Sequence, residues 1–183
     1  MSTYPTTPAY SGQTAGAAPA KPATLKAALG VTILAALAAI VNGIMILTGG
    51  PELAREIAAN AVSILTGESI DTILAEGGSI LDVAAEAATS TLQTRAYLLI
   101  VPGALVLLFG LLMTKAATWA RVMVTISAAF LLLFAGIISL DTVGSTGTML
   151  AIGWVATLGA IASIVLTWLS PNGRYAKALK QRA

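Results

Sequence analysis

The sequence predicts an all-α protein, a four-transmembrane-helix bundle with short amphipathic extracytoplasmic helices. Three observations point there. Four apolar runs of membrane-crossing length recur along the 183 residues, at 27–47, 96–113, 122–140 and 149–169. Hydrophobic residues make up 57% of the chain and charged residues only 10%, with a mean hydropathy of +0.87, a balance that a soluble domain of this size could not cover with polar surface. The segment 49–95 between the first two runs is acidic and has a helical spacing of its apolar residues.

Residues 1–24 hold Pro5, Pro8, Pro19 and Pro22 among Ser, Thr, Gly and Ala, with Tyr4 and Tyr10 as the large side chains. Such a segment buries too little apolar area to offset its ordering entropy, so a disordered cytoplasmic tail is expected. The run 27–47 has no charge and would span roughly 31 Å as a helix, matching a hydrocarbon core of about 30 Å. It is too long for the apolar core of a signal peptide, and three further runs follow, so it is expected to stay in the membrane.

Gly49, Gly50, Pro51 and Glu52 end that helix and start another, since Gly suits a C-terminal cap, Pro a first turn and Glu the positive end of the helix dipole. Leu53, Ile57, Ala61, Ile64 and Leu65 then follow a 3.6-residue period, as do Ile70, Ile73 and Leu74 after Gly67. Gly77 and Gly78 interrupt, and Ser79 offers an N-cap for a weaker stripe through Ile80, Leu81 and Ala84. Two or three short amphipathic helices are expected over 49–95. The run 96–113 carries Pro102, where a kink is expected. A short connection leads to 122–140, a Gly/Ser/Thr turn over 141–148 leads to 149–169, and Ser170 to Gly173 ends the membrane domain of 25–170. Residues 171–183 read as a basic cytoplasmic tail.

Basic residues resist translocation, and eight of them (Lys21, Lys26, Lys115, Arg121, Arg174, Lys177, Lys180 and Arg182) flank one side, against Arg55 and Arg95 on the other. All eight acids fall on the side of Arg55 and Arg95. Both termini are therefore expected in the cytoplasm of a bacterial cell, with the acidic loop outside. Trp119, Trp168 and Tyr97 sit where interfacial anchors belong.

The chain has no Cys and no His, which removes disulfides, thiolate nucleophiles, imidazole chemistry and the usual haem or zinc donors. No cofactor, metal or catalytic residue is expected. The serines have no His partner and no G-x-S-x-G context, and Glu68, Asp71 and Glu76 lack the alternation of a calcium loop. No basic groove with interleaved aromatics suggests nucleic-acid binding. No Asp, Glu, Lys or Arg interrupts the four runs, so ion-coupled transport lacks its usual carriers. Asn42 is the strongly polar side chain inside a span and the candidate intramembrane contact, most simply an interhelical hydrogen bond. Small residues recur on single faces: Ala28, Thr32, Ala36, Ala39 and Gly43 in the first span, and Gly153, Ala156, Ala160, Ser163 and Thr167 in the fourth. Ala36, Gly43, Gly153, Ala160 and Ser163 are the candidate helix-packing positions, because small side chains let helices approach closely where lipid supplies no hydrophobic drive.

With its tail Tyr4-Pro-Thr-Thr-Pro8, its Ala-rich spans and a fourth helix leaving as Trp168-Leu-Ser-Pro-Asn-Gly-Arg-Tyr175, the chain resembles the small tetraspanning membrane proteins of high-GC actinobacteria. Some small multispan proteins of that kind accompany respiratory or envelope complexes. The resemblance covers layout and carries over no functional residue. The sequence thus leads to the expectation of a non-enzymatic accessory or scaffold protein in the cytoplasmic membrane, in contact with lipid and with a larger complex. The rival expectations are a small transporter or channel-like bundle, and last a lipid-acting membrane enzyme.

Overall fold

A computed structural model describes residues 20–115 and 117–181, and these are all-helical. The greater part of the expected N-terminal tail, residues 1–19, lies outside the described residues, as do 182–183. Six helices follow in order: α1 (Ala23–Thr66), α2 (Ile70–Glu76), α3 (Gly78–Leu112), α4 (Thr118–Leu140), α5 (Gly147–Thr167) and α6 (Ser170–Lys180). Helices α1, α3, α4 and α5 are each long and apolar enough to cross a membrane.

Helices α4 and α5, with 23 and 21 residues, are about 35 and 32 Å long, the thickness of a hydrocarbon core. At 44 and 35 residues, α1 and α3 are far longer and run past the ends of their apolar stretches. Of the separate short helices expected over 49–95, the segment after Gly50 is set off by a break and α2 stands alone, but the one expected to start after Gly78 is corrected, because it is continuous with the apolar part of α3. No Gly or Pro falls between Gly78 and Pro102, and Ala84, Ala85, Ala87 and Ala88 favour helix, so the start of α3 and its apolar part form one rod. That rod continues through Pro102, where a kink was expected. The break in α1 falls at Gly50, whose φ of 56° and ψ of −149° are open to glycine and strained for other residues. Pro51 then opens the second segment of α1, where its missing N–H costs nothing.

α1 packs against α3 and α5, and α4 packs against the same two, so the four long helices close into a ring of antiparallel neighbours. Small side chains gather inside it, around a few buried large ones such as Leu99, Val106 and Leu131. Ala28, Ala36, Ala39, Ala96, Ala128, Ala135, Ala156 and Ala160 are buried in the bundle, while Leu34, Leu37, Leu105, Phe130, Ile137, Leu158 and Val165 face outward. A soluble bundle does the reverse; this arrangement exposes the apolar bulk to lipid and brings backbones together inside.

Beyond the bundle, the second half of α1, α2 and the first half of α3 form a cap around Ala58, Ala59, Ile73 and Leu81. Ser69 caps α2, its Oγ accepting from the Thr72 N–H at 3.2 Å. The N-cap of α3 is Gly77, not the expected Ser79. At the opposite end the chain does not trail off after residue 170: Pro171 sits in the first turn of α6, and the expected basic tail is a helix docked on the bundle.

Candidate functional site

Three polar levels hold the ring together. At the α6 end, Asn172 is fully buried; its Nδ2 donates to Leu166 O at 2.9 Å and its Oδ1 accepts from Thr24 Oγ1 at 2.7 Å. One side chain thus ties α6 to the open carbonyls of α5 and to the start of α1. Beside it, Arg121 donates through Nε and Nη2 to Thr167 O, at 3.1 and 2.6 Å, with its guanidinium 4.7 Å from the centre of the Trp168 ring. The cation sits at the negative end of the α5 dipole, where it is favoured.

Inside the bundle, Thr32 and Ser163 share a hydrogen bond between their hydroxyls, and Thr32 also donates to Ala28 O at 2.7 Å. Nearly three turns further along α1, Asn42 is fully buried and its Nδ2 donates to Met149 O at 3.1 Å. Asn42 Oδ1 and Ser139 Oγ are buried without a protein partner. Space there is nevertheless tight: a Cβ on Gly153 would collide with Ser139 Oγ and stand 3.5 Å from Asn42 Nδ2.

The small-residue positions fall at the close approaches. A Cβ on Gly43 would stand 2.9 Å from Ala96 O, and one on Gly103 would stand 3.2 Å from Ala36 O, so α1 and α3 touch backbone to side chain over two turns. Ala160 is buried in the same core, and Ser163 is the partner of Thr32. Gly159, which the sequence reading passed over, lies against Ala35, where a Cβ would be 2.8 Å away. Its spacing from Ala156 and Ser163, three and four residues, was the signal for it.

The third level lies where the bundle meets the cap. Arg95 of α3 pairs with Asp141 at the end of α4 and donates through Nη1 to Gly144 O at 2.7 Å. Asn60 of α1 donates to Val143 O at 3.0 Å. The α4–α5 turn is therefore held from two sides. Burial alone would raise the Asp141 carboxyl, but the Gly144 N–H, the Arg95 bond and charge, and the Val143 N–H outweigh it and hold it below the ordinary aspartate value. No local pattern in the sequence marks this latch, whose halves are 46 residues apart.

Apart from Asn42 Oδ1 and Ser139 Oγ, these polar groups are engaged in bonds between helices or within the turns that join them. Among the described residues, no three His, Cys, Asp or Glu side chains gather as a metal site. The geometry defines an all-helical bundle with four helices fit to cross a membrane, a multi-pass membrane protein by class. No protein family, curated protein or solved structure matches the chain.

Proposed function

We propose that the chain is a non-enzymatic accessory or scaffold protein of a bacterial cytoplasmic membrane, which holds its cap outside the cell and docks there or through its helices to a larger complex. The observation that carries the reading is the division of labour between bundle and cap. The bundle interior is closely packed, with alanines around buried Leu99, Val106 and Leu131 and with hydrogen bonds such as Asn42 to Met149 O across it, whereas the cap presents Leu65 and Ile80 at 86% and 75% exposure. Apolar side chains left bare outside a packed core mark an interaction surface.

The placement of the cap on the outside rests on charge. In the sequence, eight Lys and Arg residues flank the side of the spans to which α6 belongs, against two on the side of the cap, and basic residues are retained inside. α6 then lies on the cytoplasmic face, with Arg174, Lys177 and Lys180 toward anionic headgroups. The amphipathic segments of α1, α2 and α3 become extracytoplasmic.

Transport is the weaker reading. Asn42 is its natural carrier, but the tight fit of Gly153, Ser139 and Asn42 favours packing over a path. Chemical crosslinking in native membranes, followed by purification in mild detergent, tests the accessory reading. Recovery with stoichiometric neighbours is expected; a lone monomer that crosslinks to nothing would contradict it.

A further inference from the structure

The far end of the cap carries a groove of about 300 Å³ between the end of α1, α2 and the start of α3. Ile73 and Leu81, both buried, form its floor, half-buried Val62 and exposed Ile80 its walls, and the exposed carboxylates of Glu68 and Glu76 stand on its rim. Its volume is at the lower limit of small-molecule pockets, about 300–1,000 Å³, and Leu65 and Val83, one helical turn from Val62 and Ile80 of its lining, are exposed as well. The occupant must therefore be larger than a ligand enclosed by the groove.

Lipid does not reach it. Arg95, bonded to Asp141 at the end of α4, marks the level where the bundle ends, and Leu81 lies one unbroken helix away from it. That stretch rises about 21 Å along the axis, and still roughly 16 Å at a tilt of about 40°. The headgroup layer is only about 5–8 Å deep. A second copy is also a poor occupant: residues 51–94 hold Glu52, Glu56, Glu68, Asp71, Glu76, Asp82 and Glu86 against Arg55, a net charge of minus six, so two caps repel.

We infer that this groove docks a cationic amphipathic helix of a partner protein, whose apolar face seats on Ile80 and Val62 above the buried floor of Ile73 and Leu81 while its Lys or Arg residues pair with Glu68 and Glu76. The inference rests on the accessory reading and names the chemistry of the partner. Opposite charge on the two surfaces speeds encounter and sets orientation, and the apolar floor supplies the desolvated centre that a stable contact needs.

The test is a photoreactive side chain at Ile80 in the full chain in native membranes, with Ser90 on the same cap as the control position. Ile80 is expected to capture a protein segment whose sequence is amphipathic and net positive, and Ser90 is not. The paired substitutions Glu68→Lys and Glu76→Lys should lower the yield by roughly tenfold, and Glu68→Gln with Glu76→Gln by less. These rim residues are exposed, and an unchanged thermal unfolding midpoint in the variants confines the effect to docking. Capture of lipid, of a second copy or of an acidic segment would overturn the inference, as would a yield indifferent to charge reversal or no capture at all. If Ile80 captures nothing while crosslinked neighbours remain on α1–α5, the groove assignment falls and the accessory reading stands; a lone monomer removes both.

Discussion

Arg121 and Thr167 are joined by a forked hydrogen bond, Nε and Nη2 of the one meeting the carbonyl oxygen of the other at 3.1 and 2.6 Å. The fork closes the C-terminus of α5 with a charge carried by the first turn of α4, and Trp168 covers the guanidinium. Lysine offers a point charge in place of a planar fork, so Arg121→Lys should lose one bond and most of the stacking. A loss of about 1–3 kcal/mol is expected from Arg121→Lys in reversible unfolding in mixed micelles. A variant as stable as the parent would show that the fork is incidental.

Two glycines in α1 should respond oppositely to alanine. At Gly43 a Cβ would stand 2.9 Å from Ala96 O and 2.5 Å from Ile100 Cγ1, so α1 and α3 must separate, at a cost of about 1–3 kcal/mol. At Gly30 nothing lies within 4 Å, and alanine should be neutral or stabilising by up to about 1 kcal/mol. Thermal denaturation of the two variants in one detergent checks the sign of each.

The Thr32–Ser163 hydroxyl pair should be energetically coupled. Double-mutant cycles between membrane helices average about 0.6 kcal/mol, and a shared bond in a dry interior belongs at or above that value. Thr32→Val, Ser163→Ala and the double variant measure it; additive losses would mean that the hydroxyls act separately.

Acid should weaken the latch between cap and bundle. The Asp141 carboxyl is held below the ordinary aspartate value of 3.8, so the charged form is favoured in the folded protein. The stability this gives is complete above that ordinary value, and is lost as the pH falls from there through the lower folded value. Asp141→Asn removes the titration. Amide protection factors at residues 142–146, which divide out the intrinsic pH dependence of exchange and are followed down to pH 3, should fall in the parent and be already low and flat in Asp141→Asn. Parallel curves would contradict the assignment.

Much of this architecture was legible in the sequence, for identifiable reasons. An uncharged run such as 27–47 has few fates besides crossing a bilayer, and the small-residue spacing through Ala36 and Gly43 marked a face for close approach, within the bundle or against a partner. What was not legible is what a linear pattern cannot carry. Arg121 counts as one more flanking cation until α5 places the Thr167 carbonyl beside it. Arg95 and Asp141 meet only because α3 and α4 are neighbours in the ring. Continuity of α3 could have been found, since residues 79–101 contain neither Gly nor Pro. The paired glycines before it drew attention to the breaks and away from the rod that follows. In α6, Pro171 and Gly173 suggested a stop, yet Pro is at home in a first helical turn, and the carbonyls that Asn172 closes belong to another helix.

Because the chain contains no cysteine, single introduced thiols report their side of the membrane without background. Ser79→Cys in the cap and Lys180→Cys in α6, probed with a membrane-impermeant maleimide on intact cells, address the central claim most directly. The cap thiol should label at once and the α6 thiol only after permeabilisation. Labelling of both from the same side, or of α6 alone on intact cells, would contradict a four-span bundle with an acidic outer cap.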